Sequence, residues 1–384
     1  MHADIVPLVV GVMIFFSSLI SLELGISVAI VEIIIGAIAG NLGIKPEEWM
    51  IYVASLGGIV LTFLAGTEID GKLFKARFLE SFLIGFFSFL APFIGAGLYA
   101  FFIAGWSYQA SIIAGLALST TSLAVVYSVL VETGLNKEEI GKFLMAATFV
   151  TDMGTVLAMS IIFMKPTLYT LLFLVVSILV VWLATKFSHM IFHHPRLKNK
   201  VIEPEIKYLF LLLLIFIYFA NLGNGHAILP AFILGLLMSK HFKETSEIKV
   251  LRDRLRTVAY AVITPLFFIV GGMKISLPLL MVSSGLFIAF FVVKIIAKFI
   301  GVYFFAKKYI PNGSMYTTLL MSTGLTFGTI SSLYGLNAGI INQIQYSILV
   351  GVVVASAVIP TFIAQRWFVP MHSEDIIEWN GEDE

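Results

Sequence analysis

From Ile5 to Phe368 the chain is a succession of apolar runs separated by short polar connections. Each run is about 20 residues long, the length of helix that crosses the hydrocarbon core of a bilayer. Inside lipid every backbone N–H and C=O has to be satisfied within the protein, so runs of this kind fold as membrane helices. Thirteen spans are read: 5–21, 26–41, 49–69, 78–103, 107–131, 139–164, 167–187, 206–222, 226–240, 257–273, 277–305, 314–336 and 343–367. A charged share of 12% and a mean hydropathy of +1.00 agree, since a soluble domain carries about 25% charged residues. The expected fold is an all-α polytopic membrane protein, a single membrane domain over residues 1–384.

Charge placement gives an orientation. Of the 24 Lys and Arg, Lys294 and Lys298 lie within span 11, Lys45, Lys165 and Lys274 fall at one set of ends, and the other nineteen fall at the opposite set. The positive-inside rule puts the nineteen in the cytoplasm, with the N-terminus outside and the C-terminus inside. Met1-His-Ala-Asp4 has no basic region of a signal peptide, so span 1 is expected to be retained. The stretch Lys186–Glu205, with His193-His194-Pro195, is read as a basic linker between halves, and residues 371–384 as a short acidic cytoplasmic tail with no nucleotide-binding domain. A His pair without a third ligand is a solvated loop more readily than a metal site. The chain has no cysteine for a disulfide, a net charge of +1 that offers nothing to nucleic acid, and no Walker loop or dinucleotide fingerprint, so transport would be driven by gradients.

Asp152 stands in the middle of span 6. A carboxylate at that depth costs at least about 2.5 kcal/mol, so such groups face a cavity and handle an ion or a proton. Thr148 lies four residues earlier on the same helical face, with Thr151 alongside. Two spans break the pattern of a smooth apolar helix near mid-membrane. Span 5 reads Leu116-Ala-Leu-Ser-Thr-Thr-Ser-Leu-Ala124, and span 12 reads Met321-Ser-Thr-Gly-Leu-Thr-Phe-Gly-Thr-Ile-Ser-Ser332. Non-helical backbone at that depth survives only where protein or a wet cavity surrounds it. The two spans are separated by an odd number of crossings and therefore run oppositely, the pattern of inverted repeats around a midplane site in secondary transporters. Spans 4–6 (about 78–164) would form one repeat and spans 11–13 (about 277–367) the other; the competing reading is that each Ser/Thr cluster only packs helices closely. Asp152, Thr148, Thr121, Ser122 and freed carbonyls of span 5 together offer the oxygen ligands a hard alkali cation prefers. One carboxylate that takes a proton or a cation, but not both, is the physical minimum for exchange.

Span 11 adds Lys294 and Lys298 on one face. Lys298 is within reach of the cytoplasmic headgroups by snorkelling, whereas Lys294 is nearer mid-span. Glu32 lies inside span 2. Glu68, at the end of span 3, either lines a cytoplasmic funnel or sits at the interface.

The segments Val31-Glu-Ile-Ile-Ile-Gly-Ala-Ile-Ala-Gly40, Phe63-Leu-Ala-Gly-Thr-Glu-Ile-Asp70, Leu116–Val126, Ala231-Phe-Ile-Leu-Gly235, Pro265-Leu-Phe-Phe-Ile-Val-Gly-Gly272 and Pro360-Thr-Phe-Ile-Ala-Gln365 occur in order. As an ordered set they resemble the monovalent cation:proton antiporter superfamily, on its Kef/NapA-like branch, across nearly the whole chain. The resemblance implies an NhaA-like antiporter fold with two unwound crossing helices, a homodimer in the cell membrane, and an elevator-like core moving against a scaffold made largely of spans 1–3 and 8–10. It implies no cofactor beyond the transported Na+ or K+ and H+. It assigns the transport carboxylate to Asp152, the crossing motif to Thr121-Ser122 and the core lysine to Lys298, while depth in the span favours Lys294. In span 12 the chain has Ser322, Thr323, Gly324 and Thr326 where many relatives carry a charged Pro-Arg-Gly-Glu-like stretch. It also has Thr151 before Asp152 where relatives have Asp or Asn. With one titratable carboxylate, electroneutral exchange of one H+ per cation is expected. A Na+-coupled symporter of an organic anion is the main competing reading. A channel, an intramembrane aspartyl protease, which needs two facing Asp residues, and a retinal-type receptor fit less well.

Overall fold

The structure is a computed structural model that describes residues 5–25, 28–67, 78–135, 138–163, 168–193, 203–222, 227–239 and 254–370. Among these the regular elements are all helical. They are α1 (Val6–Leu24), α2 (Val28–Asn41), α3 (Glu48–Thr67), α4 (Phe78–Leu98, running on into a wide π turn, Tyr99–Ile103), α5 (Tyr108–Ser119), α6 (Leu123–Glu132), α7 (Glu139–Phe163), α8 (Leu168–His193), α9 (Pro204–Leu222) and α10 (Ile228–Ser239). There follow a second π turn (Ala259–Ile263) with α11 (Thr264–Met273), then α12 (Leu277–Val282), α13 (Ser284–Tyr309), α14 (Ser314–Met321), α15 (Thr326–Asn337) and α16 (Gln343–Trp367). Seven of the described helices are long and apolar enough by themselves to cross a bilayer, and the remaining apolar helices are shorter or interrupted.

The chain divides into two compact units, each built from two separated stretches: residues 1–71 with 156–275, and residues 72–155 with 276–384. In the first unit, α2 lies against α11 and α3 against both α10 and α11. Glycines let the backbones touch. A Cβ on Gly36 would collide with the carbonyl of Ile269, and one on Gly272 with the carbonyl of Ile33. Gly66 and Gly235 meet the carbonyls of Phe232 and Phe63 in the same way across α3 and α10. Glycine-bearing segments separated by some 170 to 240 residues in sequence thus form matched pairs of close contacts, since apolar helices in lipid associate mainly through close van der Waals packing. Asn41 fastens one end of this unit, its Nδ2 donating to the carbonyls of Ala37 (2.7 Å) and Ile275 (2.8 Å). Around them Phe63, Leu209, Leu213, Phe216, Ala231, Leu234 and Met238 form a continuous apolar core.

The second unit follows the same packing logic. Gly301 of α13 abuts the Phe87 carbonyl of α4, where Phe87 and Phe305 also stack with centroids 4.9 Å apart. Gly85 of α4 abuts the Ala147 carbonyl of α7, and Gly115 of α5 abuts the Phe93 carbonyl of α4. The outer aspects of α4 and α13 carry exposed Phe82, Phe86, Ile94, Ile296 and Ile300, the surface expected to face lipid.

Two span boundaries differ from the sequence reading. Span 11 is divided at Ser283, where the helix stops after Val282 and restarts at Ser284. The seventh span continues to His193, into the stretch read as a linker, because helix-breaking residues are lacking until Pro195.

Candidate ion-binding site

In the second unit two helices stop at mid-span and restart. α5 ends at Ser119 and α6 begins at Leu123; Thr120 between them is extended, with φ −66° and ψ 152°. α14 ends at Met321 and α15 begins at Thr326, through Leu325 at φ −150° and ψ −76°. The two breaks touch. Thr121 Oγ1 donates to the Met321 carbonyl at 2.8 Å, one of the carbonyls left over where α14 ends. A Cβ on Gly324 would lie 2.8 Å from Thr120 Oγ1, and one on Gly328 would lie 2.8 Å from the Ala117 carbonyl. Without glycine at these positions the interrupted segments would not approach so closely.

Lys298 of α13 ties α4 to the break after α5. Its Nζ donates to Ser88 Oγ of α4 (2.9 Å), the Ser119 carbonyl at the end of α5 (2.7 Å) and Thr121 Oγ1 (2.9 Å). An ammonium has three donors, and here all three end on neutral oxygens. A cation beside the carbonyl end of α5 is also favoured by the helix dipole. Lys298 does not snorkel: the side chain is fully buried. Lys294, one turn earlier, is equally buried, but its Nζ has no hydrogen-bond partner among the described residues and lies against the position a Cβ on Gly324 would take. The two lysines, inseparable by sequence face alone, therefore have different surroundings.

Asp152, on α7, is 3% exposed, and its Oδ1 has no hydrogen-bond partner among the described residues. It lies within electrostatic range of Lys298. Thr148, one turn before it, approaches the break of the other helix, with Oγ1 3.5 Å from Met321 Sδ. Thr151 turns elsewhere. Its Oγ1 donates to the carbonyls of Gly85 (3.1 Å) and Ala147 (3.2 Å), which fixes α7 to α4. Ser122 Oγ accepts from the Val125 amide at 3.4 Å, and the hydroxyls of Ser322 and Thr323 donate back to the carbonyls of Thr318 and Leu320, both at 2.7 Å. Thr326 opens α15.

Thr148, Thr121, Lys298, Lys294 and Gly324 thus gather in one unit with Asp152. Glu32 is buried in α2 and belongs to the first unit. Glu68 and the acidic tail lie outside the described residues. Sequence reasoning missed Ser88, the hydroxyl that receives Lys298. Its only signal was a small-residue face on span 4, where Ser81, Gly85 and Ser88 recur at helical spacing among phenylalanines.

Residues 11–369 match the family of transmembrane sodium/hydrogen exchangers. This chain belongs to the sodium/hydrogen exchanger family. It is a multi-pass membrane transporter and not an enzyme. Among its relatives, a probable Na+/H+ antiporter 3 of Methanocaldococcus jannaschii is 26% identical, over 89% of this chain and 90% of that protein. The Na+/H+ antiporter of Enterococcus hirae is 25% identical over 90% and 92%. The solved sodium proton antiporter MjNhaP1 from Methanocaldococcus jannaschii superposes with a TM-score of 0.70 at 16% identity, covering 94% of this chain and 97% of that one, a likeness of fold.

Proposed function

We propose that this exchanger carries one monovalent cation, Na+ first, in exchange for one H+, with Asp152 as the carboxylate that both compete for. The observation that carries the reading is the Asp152 carboxylate itself: buried, with an oxygen lacking a hydrogen-bond partner among the described residues, in the unit that holds the two helix breaks, while Lys298 is fully hydrogen-bonded to other groups. Thr148, Thr121, Ser122 and the carbonyls released at the α5 break are the remaining candidate ligands. A hard cation satisfies such an oxygen set and a proton satisfies the carboxylate alone, so occupancy by one excludes the other.

With a single carboxylate at the site, the unit changes charge by the same amount whether it loads Na+ or H+, and the exchange is electroneutral. The unit formed by residues 72–155 and 276–384 is the mobile core in this reading, and the unit formed by residues 1–71 and 156–275 is the scaffold of a homodimer. The protein sits in the cell membrane with its N-terminus outside and its C-terminus in the cytoplasm.

The test is reconstitution into liposomes with an entrapped pH dye. Imposed gradients of Na+, K+ or Li+ should move protons in the opposite direction with no organic solute present. A requirement for an organic anion would contradict antiport and favour the symporter.

A further inference from the structure

Met321 ends α14 and is fully buried at the crossing. Two threonine hydroxyls, both candidate cation ligands, donate to it. Thr121 Oγ1 donates to its main-chain carbonyl at 2.8 Å, and Thr148 Oγ1 to its Sδ at 3.5 Å. The second contact departs from the local pattern. A helical threonine commonly returns its proton to a carbonyl three or four residues back, as Thr151 and Thr155 of the same helix do to Ala147 and Thr151. Thr148 instead gives its proton to a thioether 173 residues away in sequence, although sulfur is the weaker acceptor.

A hydroxyl has one proton and two lone pairs, and a cation needs the lone pairs. Where the proton goes therefore decides what the oxygen offers to an ion. With its proton on Met321, Thr148 keeps both lone pairs, on the helical face it shares with Asp152. Thr121 also accepts from Lys298 Nζ at 2.9 Å, with Ser88 Oγ 3.5 Å away, so at most one of its lone pairs remains. Thr148 is the better hydroxyl ligand of the two. We propose that Met321 is a positioning residue for cation binding: its thioether holds the Thr148 proton away from Asp152, so that the hydroxyl oxygen completes the shell the carboxylate begins. The inference rests on the antiport reading and adds the residue that orients its ligand.

The experiment compares the apparent KM for Na+ and the maximal exchange rate in proteoliposomes, at one alkaline pH, for wild type, Met321→Leu, Thr148→Val and the double variant. Leucine nearly conserves volume and keeps the main-chain carbonyl that holds Thr121, so the sulfur alone is removed. Met321→Leu should raise KM about fivefold with the maximal rate within about twofold. Thr148→Val should raise KM at least as much, and adding Met321→Leu to it should change KM no further. The inference is overturned by an unchanged KM in either single variant, by two effects that simply multiply in the double variant, or by a lower maximal rate at unchanged KM. The midpoint of the Na+-dependent rise in Tm in detergent should shift by the same factors without any transport, which covers a variant that reconstitutes poorly. Asp152→Asn separates the two levels. Exchange that persists in it ends the antiport reading, whereas exchange lost in it with KM unchanged in Met321→Leu ends this inference alone.

Discussion

At the scale of single residues, the sequence made Asp152 visible because a lone carboxylate inside an apolar run is costly and therefore conspicuous. Lys294 and Lys298 were conspicuous for the same reason, yet which of them ties the crossing together was not legible. Their spacing puts both on one face of α13, and the partners that distinguish them, Ser119 and Thr121, are some 180 residues away in sequence. Ser88 had only a weak signal, because a small-residue face such as Ser81, Gly85 and Ser88 is ordinary packing in a membrane helix. Replacing Lys298 by Met leaves three buried oxygens without their donor. The expected loss is on the order of 3 kcal/mol, read as a lowered Tm in detergent. Ser88→Ala removes one acceptor and should cost less than half as much in the same measurement. Competition at Asp152 also fixes the sign of the pH dependence. As pH falls, protons occupy the carboxylate and the apparent KM for Na+ should rise, approaching about tenfold per pH unit on the acid side. A KM independent of pH would argue against a shared site.

Between elements, the glycines decide which helices meet. Gly301 and Gly85 admit backbone carbonyls of neighbouring helices at distances no side chain permits. Gly301→Leu should therefore force α13 off α4 and lower stability by about 3 kcal/mol, detectable by scanning fluorimetry. Gly11 of α1, where a Cβ would meet nothing, should accept Ala with almost no change. The Ser/Thr-rich stretches of spans 5 and 12 pointed to the positions where the helices stop, since hydroxyls can satisfy freed backbone groups. The division at Ser283 carried a weaker signal. Its signal is the short Ser283-Ser284-Gly285 step inside an otherwise apolar run, too brief to stand out, and the packing of α12 against α16 and of α13 against α4 gives the two pieces separate positions. The extension of α8 to His193 was hidden by composition: basic residues were read as loop, although nothing before Pro195 stops a helix.

For the whole molecule, the membrane class and helical architecture follow from run length and hydropathy alone. The assembly of two units from interleaved stretches does not, because apolar runs look alike and only specific close contacts select their partners. If the core carries one Na+ or one H+ on a single carboxylate, the exchange rate in proteoliposomes should be unchanged when a potassium diffusion potential is imposed with valinomycin. A rate that follows the potential would contradict one-for-one exchange. Beneath stoichiometry lies the claim that Asp152 is the exchanged site. Its most direct test is Na+-driven proton movement in proteoliposomes, comparing wild type with Asp152→Asn at matched protein content. Asparagine keeps the volume and removes the titrating, cation-binding oxygen, so exchange should fall at least about a hundredfold, equivalent to roughly 2.7 kcal/mol of lost interaction. Exchange at the wild-type rate in Asp152→Asn would contradict it.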